Sequence, residues 1–84
     1  MIESPQEIRQ KTFSVTRRGY DRAEVASYLA VLAADLTGSK PDQIRQKTFS
    51  VTRRGYDKAE VASYLARVAY ELEQDTGRGT DRSG

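Results

Sequence analysis

The ten residues Thr12-Phe13-Ser14-Val15-Thr16-Arg17-Arg18-Gly19-Tyr20-Asp21 return without a change as Thr48 to Asp57. Around them, residues 5–36 align without gaps on residues 41–72, a period of 36 (41 minus 5), and about three-quarters of the positions are identical. A period in this range marks one supersecondary unit used more than once. Each unit alone is smaller than a chain that usually buries a sufficient core. The two copies must therefore pack on each other, on another chain, or both.

Composition closes several routes. With no Cys, neither a disulfide framework nor a thiolate zinc site can compensate for a small core. With no His, the commonest general base and the commonest metal ligand are both missing. No apolar run approaches bilayer length and the first residues hold no signal-peptide core, so the expected location is the cytoplasm. The formal charge of +2 does not itself argue for nucleic acid. The basic residues are clustered, however: Arg9, Lys11, Arg17 and Arg18 in one copy, Arg45, Lys47, Arg53 and Arg54 in the other.

Ser4-Pro5-Gln6-Glu7 reads as a helix start, with Ser4 as N-cap and Pro5 at the first helical position. The second copy keeps Pro41 but places Lys40 at the cap and Asp42 in the first turn. Phe13-Ser14-Val15-Thr16 favours an extended segment, too short to count as a strand of consequence. Arg17-Arg18-Gly19 is then expected to turn the chain, with Gly19 supplying a positive φ. Asp21 with Glu24 has capping-box spacing and Tyr20 with Val25 that of a hydrophobic staple; Gly55, Tyr56, Asp57, Glu60 and Val61 repeat the arrangement. Helices follow, to about Asp35 and about Gln74.

Along those helices Val25, Leu29, Leu32 and Leu36 keep a 4-3-4 spacing, as do Val61, Leu65, Val68 and Leu72. Two heptads are too few to hold a free-standing coil, so this seam needs help from Ile8, Phe13, Val15, Tyr20, Tyr28 and their repeats. Gly38 is a natural residue to close the first long helix. The domain reading is repeat 1 over 4–36, linker 37–40, repeat 2 over 41–74 and a disordered tail over 75–84, which has no apolar residue. The expected fold is all-α: two units of short helix, loop and longer helix in a small bundle.

The pattern Lys-Thr-Phe, then Arg-Gly-Tyr-Asp, then Glu-Val-x-x-Tyr-Leu resembles the N-terminal domain of the DivIVA family of bacterial pole and septum proteins. Pro5, Ile8, Lys11, Phe13, Arg18, Gly19, Tyr20, Asp21, Glu24, Val25, Tyr28 and Leu29 carry the resemblance, and the same set recurs 36 residues later. It implies a short helix, a tip loop and a long helix that pairs in parallel with a second copy. It also implies contact with the cytoplasmic face of the membrane through the tip, and docking of cell-division partners. Two features depart from the family: its long C-terminal coiled coil is missing, and Arg17 and Arg53 stand where several members expose a tip aromatic. Electrostatic attraction to anionic headgroups, at about 1 kcal/mol per basic residue near the surface, is what remains.

A duplicated unit can close as a pseudo-dimer within one chain or exchange units between chains. The first is tight, since a helix from Asp21 to Leu36 rises about 22 Å while a four-residue linker spans at most about 14 Å. Arg17, Arg18, Arg53 and Arg54 are the candidate partner- or membrane-binding residues; the bland reading is a solvated turn, with Arg18 paired to Asp21 or Glu24. Phe13 and Tyr20 read as core. Tyr28 and Tyr64 read as packing under the short helix, with a partner surface as the alternative. Asp21, Glu24, Asp57 and Glu60 are accounted for by capping and have no His or Cys to work with, so no enzyme, metal or cofactor is expected. The leading expectation is a non-catalytic scaffold or adaptor in cell division or polar organisation, cytoplasmic and peripheral at the inner face of the membrane. The alternatives are a nucleic-acid binder with two helix-turn-helix-like units, and a purely structural oligomeriser.

Overall fold

A computed structural model describes the backbone of residues 4–36 and 38–83 and the side chains up to residue 74. The elements run α1 (Pro5–Gln10), β1 (Val15–Tyr20), α2 (Arg22–Ala34), α3 (Pro41–Gln46), β2 (Val51–Tyr56) and α4 (Lys58–Ser83). The second long helix runs to Ser83, past the expected end at about Gln74, and the side chains of the expected tail, residues 75–84, lie outside those described.

The all-α expectation is overturned. Each unit carries a six-residue strand, and β1 and β2 pair with each other. Val15 lies opposite Tyr56, Thr16 opposite Gly55, Arg17 opposite Arg54, Gly19 opposite Thr52 and Tyr20 opposite Val51. One strand's numbers fall as the other's rise, so the strands run antiparallel. The ladder continues beyond them through Asp21 N–H to the Ser50 carbonyl and Asp57 N–H to the Ser14 carbonyl, both 2.8 Å. A lone extended segment of this length has no ladder to hold it in one conformation, but the second copy supplies the complementary strand.

The anticipated turn at Arg17-Arg18-Gly19 is therefore absent, because the strand runs through to Tyr20, interrupted only by an irregularity at Arg18. Positive φ falls on Arg18, at 56°, and not on Gly19. The register skips at Arg18, between the Arg17 and Gly19 pairs. Gly19 and Gly55 are both buried. They are needed for close approach: a Cβ on Gly19 would collide with the carbonyl oxygens of Gly55 and Tyr56, and one on Gly55 with that of Tyr20.

Asp21 opens α2 by accepting from Ala23 N–H at 2.8 Å and Glu24 N–H at 3.2 Å. Asp57 does the same for α4 with Ala59 and Glu60, at 2.8 and 3.3 Å. Ser4 accepts from Glu7 N–H at 3.3 Å, whereas Lys40 makes no side-chain cap. The first long helix closes at Asp35, not at Gly38, and Asp35 N–H bonds the Val31 and Leu32 carbonyls.

α1 packs on α2 and α3 on α4. The seam residues Val25, Leu29, Leu32, Leu36, Val61, Leu65, Val68 and Leu72 are all buried in one cluster with Ile8 and Ile44. Burying each of those two isoleucines contributes about 2 kcal/mol. The two units thus share one core within a single chain. Val15 and Val51, assigned to the core from sequence, are instead 47% and 53% exposed. Strand pairing, not burial, holds them.

Candidate functional site: the strand-pair tip

Two layers build this end of the molecule. The inner layer interlocks the units reciprocally. Phe13 of the first unit stacks edge-on against Tyr56 and Tyr64 of the second, with centroids 5.2 and 5.6 Å away. Phe49 meets Tyr20 and Tyr28 at the same two distances. Lys11 Nζ lies 5.3 Å from the Tyr64 ring, and Lys47 Nζ lies 5.2 Å from the Tyr28 ring. Burial of Tyr28 raises its hydroxyl pKa above the ordinary tyrosine value.

Glu24 and Glu60 complete the interlock. Capping-box spacing led to the expectation that each reaches back to its own helix start. Instead Glu24 Oε1 accepts from Ser50 N–H and Glu60 Oε1 from Ser14 N–H, both at 2.9 Å. The backbone N–H groups of Asp21 and Asp57 are already committed to the opposite strand's lead-in, so each glutamate is free to cross between units. The same three-residue spacing serves either geometry, which is why sequence could not tell them apart. The staple tyrosines, packed on the core that holds Val25 and Val61, also reach across the units, Tyr20 to Phe49 and Tyr56 to Phe13.

The outer layer is cationic. Arg17, Arg18, Arg53 and Arg54 line one concavity of about 460 Å³. All four side chains are exposed. Among the described residues none of the four has an ion-pair or side-chain hydrogen-bond partner; Arg18 pairs with neither Asp21 nor Glu24. Antiparallel pairing places Arg17 directly opposite Arg54. Such an arrangement carries a self-repulsion that a polyanionic surface would relieve. Val15, Thr16, Arg17 and Arg54 line an adjoining concavity, so an exposed aliphatic side chain sits beside the cations. Alternation within the extended segment was the available signal for Val15, but it also fits a core residue.

The basic segments lie on β1 and β2, so no helix-turn-helix connection presents them. Among the described residues no helix is long and apolar enough to cross a membrane. No family model, curated protein or solved structure matches the chain.

Proposed function

We propose that this protein is a non-catalytic interaction module of DivIVA type, an adaptor in bacterial cell division or polar organisation that docks on an anionic surface through its strand-pair tip. The observation that carries this reading is the convergence of Arg17, Arg18, Arg53 and Arg54 on one concavity without internal acidic partners. Guanidinium groups hydrogen-bond phosphate and carboxylate bidentately, and exposed ones released from ion pairs are available to do so. Val15 and Val51, exposed beside them, add apolar contact at a membrane interface or a protein surface. The duplication supplies two strands from one chain and so builds a complete tip without a second molecule.

Vesicle co-sedimentation tests this reading. The chain is expected to pellet with vesicles containing phosphatidylglycerol, less at higher salt, and not with neutral phosphatidylcholine vesicles. Replacing all four arginines with Ser should abolish pelleting and leave the helical circular dichroism unchanged. Equal pelleting of the Ser variant, or none by the parent chain together with no acidic protein ligand at the tip, would overturn it.

A further inference from the structure

Pairing two near-identical units gives two equivalent grooves, one on each side of the core, but sequence has made them different. One groove, of about 460 Å³, has Tyr28 and Phe49 as an aromatic floor, with Ala23 and Val31 along it and Lys47 at its rim. It continues past Tyr28 and Val31 toward Lys40 and Ile44. Its twin is smaller, about 340 Å³, and is built on Phe13, Tyr64 and Lys11. At the position of Val31 the second unit has Arg67, which pairs with Glu71 at 3.4 Å. Where the first groove has Lys40, the other copy has Ser4.

Val31 is 66% exposed, more than any other large apolar side chain among the described residues. A single exposed valine is ordinary. This one, however, borders an aromatic floor, and the duplicated position shows that a charged residue is compatible with the same helix. The groove's charge points to one kind of occupant. Lys40 and Lys47 stand at its edge, and the one acid lining it, Glu24, already accepts the Ser50 N–H. We propose that this groove docks an acidic protein segment carrying a branched aliphatic side chain flanked by carboxylates. The aliphatic group would rest on Val31 and on the parts of Tyr28 and Phe49 left open by Lys47, whose ammonium lies 5.2 and 5.3 Å from their ring centroids, and the carboxylates would meet Lys40 and Lys47. One such segment binds per chain, because the twin groove has Arg67 and Ser4 where this one has Val31 and Lys40, and so lacks both the apolar wall and the second cation. The site is separate from the arginine tip and does not depend on it.

The test uses the chain with its four tip arginines replaced by Ser, so that tip binding cannot contribute. The probe is a labelled peptide, Asp-Asp-Ile-Leu-Asp-Asp, with Asp-Asp-Ser-Ser-Asp-Asp and Lys-Lys-Ile-Leu-Lys-Lys as controls. Amide chemical shifts should move around Tyr28, Val31 and Phe49 with one peptide per chain, and neither control should bind. Val31→Arg should weaken binding by about tenfold or more, equivalent to about 1.4 kcal/mol. Arg67→Val restores the apolar wall beside Phe13 and Tyr64 but not the Lys40 cation, and should add a second, weaker binding site. Because these variants act at an exposed helix face, circular dichroism should show both folded. No saturable binding, binding unaffected by Val31→Arg, shifts confined elsewhere, or covering of the groove by self-association that Val31→Arg abolishes would each overturn the proposal.

Discussion

The crossed strands and the outer faces of the long helices come from the same duplicated unit and have fared differently. Residues 8–21 and 44–57 are identical throughout, whereas the later turns of the long helices differ at Val31/Arg67, Leu32/Val68, Ala34/Tyr70 and Asp35/Glu71. At the strand pair the contacts run reciprocally between the units. Ser14 takes Glu60 and Ser50 takes Glu24; Phe13 takes Tyr56 and Phe49 takes Tyr20. A change there disturbs a contact that the other copy cannot replace. On the outer helix faces side chains such as Val31 and Tyr70 meet mainly solvent and the copies are free to differ, whereas the buried pair Leu32/Val68 differs only between two aliphatic side chains.

The strongest way to break that symmetric half is to widen it. Gly19→Val or Gly55→Val places a side chain against the opposing strand's carbonyl groups, which are backbone and cannot rotate away. Each is expected to destabilise the chain by about 3 kcal/mol, measured by urea unfolding. The two should cost about the same, since each glycine faces the other strand. A Gly19→Val variant as stable as the parent would remove the close-packed strand pair.

The reciprocal glutamates sharpen the comparison with a smaller effect. Glu24→Gln and Glu60→Gln each weaken one charge-assisted bond to a backbone N–H, and each should cost about 1 kcal/mol. Their equality is the informative part. A cost at Glu60 with none at Glu24 would mean that the two halves of the interlock are not equivalent in solution.

How much of this was legible in advance follows the same division. The helices and their seam came from local signals: Asp21 and Asp57 as caps, apolar spacing from Val25 and Val61, Pro5 and Pro41 at the short helices' starts. Each of those signals acts within one unit. The strands did not come through, because Val15–Tyr20 is extended only by virtue of a partner 36 residues away, and the Arg-Arg-Gly sequence resembles a turn when read locally. Gly19 stands out in the sequence as a source of positive φ, but in the fold its lack of a side chain matters for distance to Gly55. The four tip arginines were nameable from sequence as a cluster. Their lack of ion-pair partners was not, since Asp21 and Glu24 lay at plausible spacing and are drawn elsewhere only by the fold.

The smallest effect belongs to the diverged half and has no counterpart in the first unit. Arg45 holds Glu73 through two bonds, Nη2 to Oε1 at 2.6 Å and Nη1 to Oε2 at 2.8 Å, joining α3 to α4. The first copy has Arg9 at the equivalent of Arg45 but Thr37 at that of Glu73, so it cannot make the pair. The hydrogen bond from Arg45 is the main cause lowering the Glu73 pKa, with their Coulomb attraction acting the same way. A carboxylate whose pKa is lower in the folded chain favours folding above its unfolded value. That contribution is lost as pH falls through the lowered pKa, where the folded state too takes up the proton. Glu73→Gln should therefore lower the melting temperature slightly at neutral pH, and parent and variant should converge on acidification. Both partners are solvent-accessible, so added salt should shrink the difference at neutral pH. An Arg9→Gln control should leave the acid arm of the stability curve unchanged, because no carboxylate in the first unit stands where Glu73 does. A gap between parent and Glu73→Gln that stayed constant from neutral to acid pH would show that the side chain acts through packing and not through this ion pair.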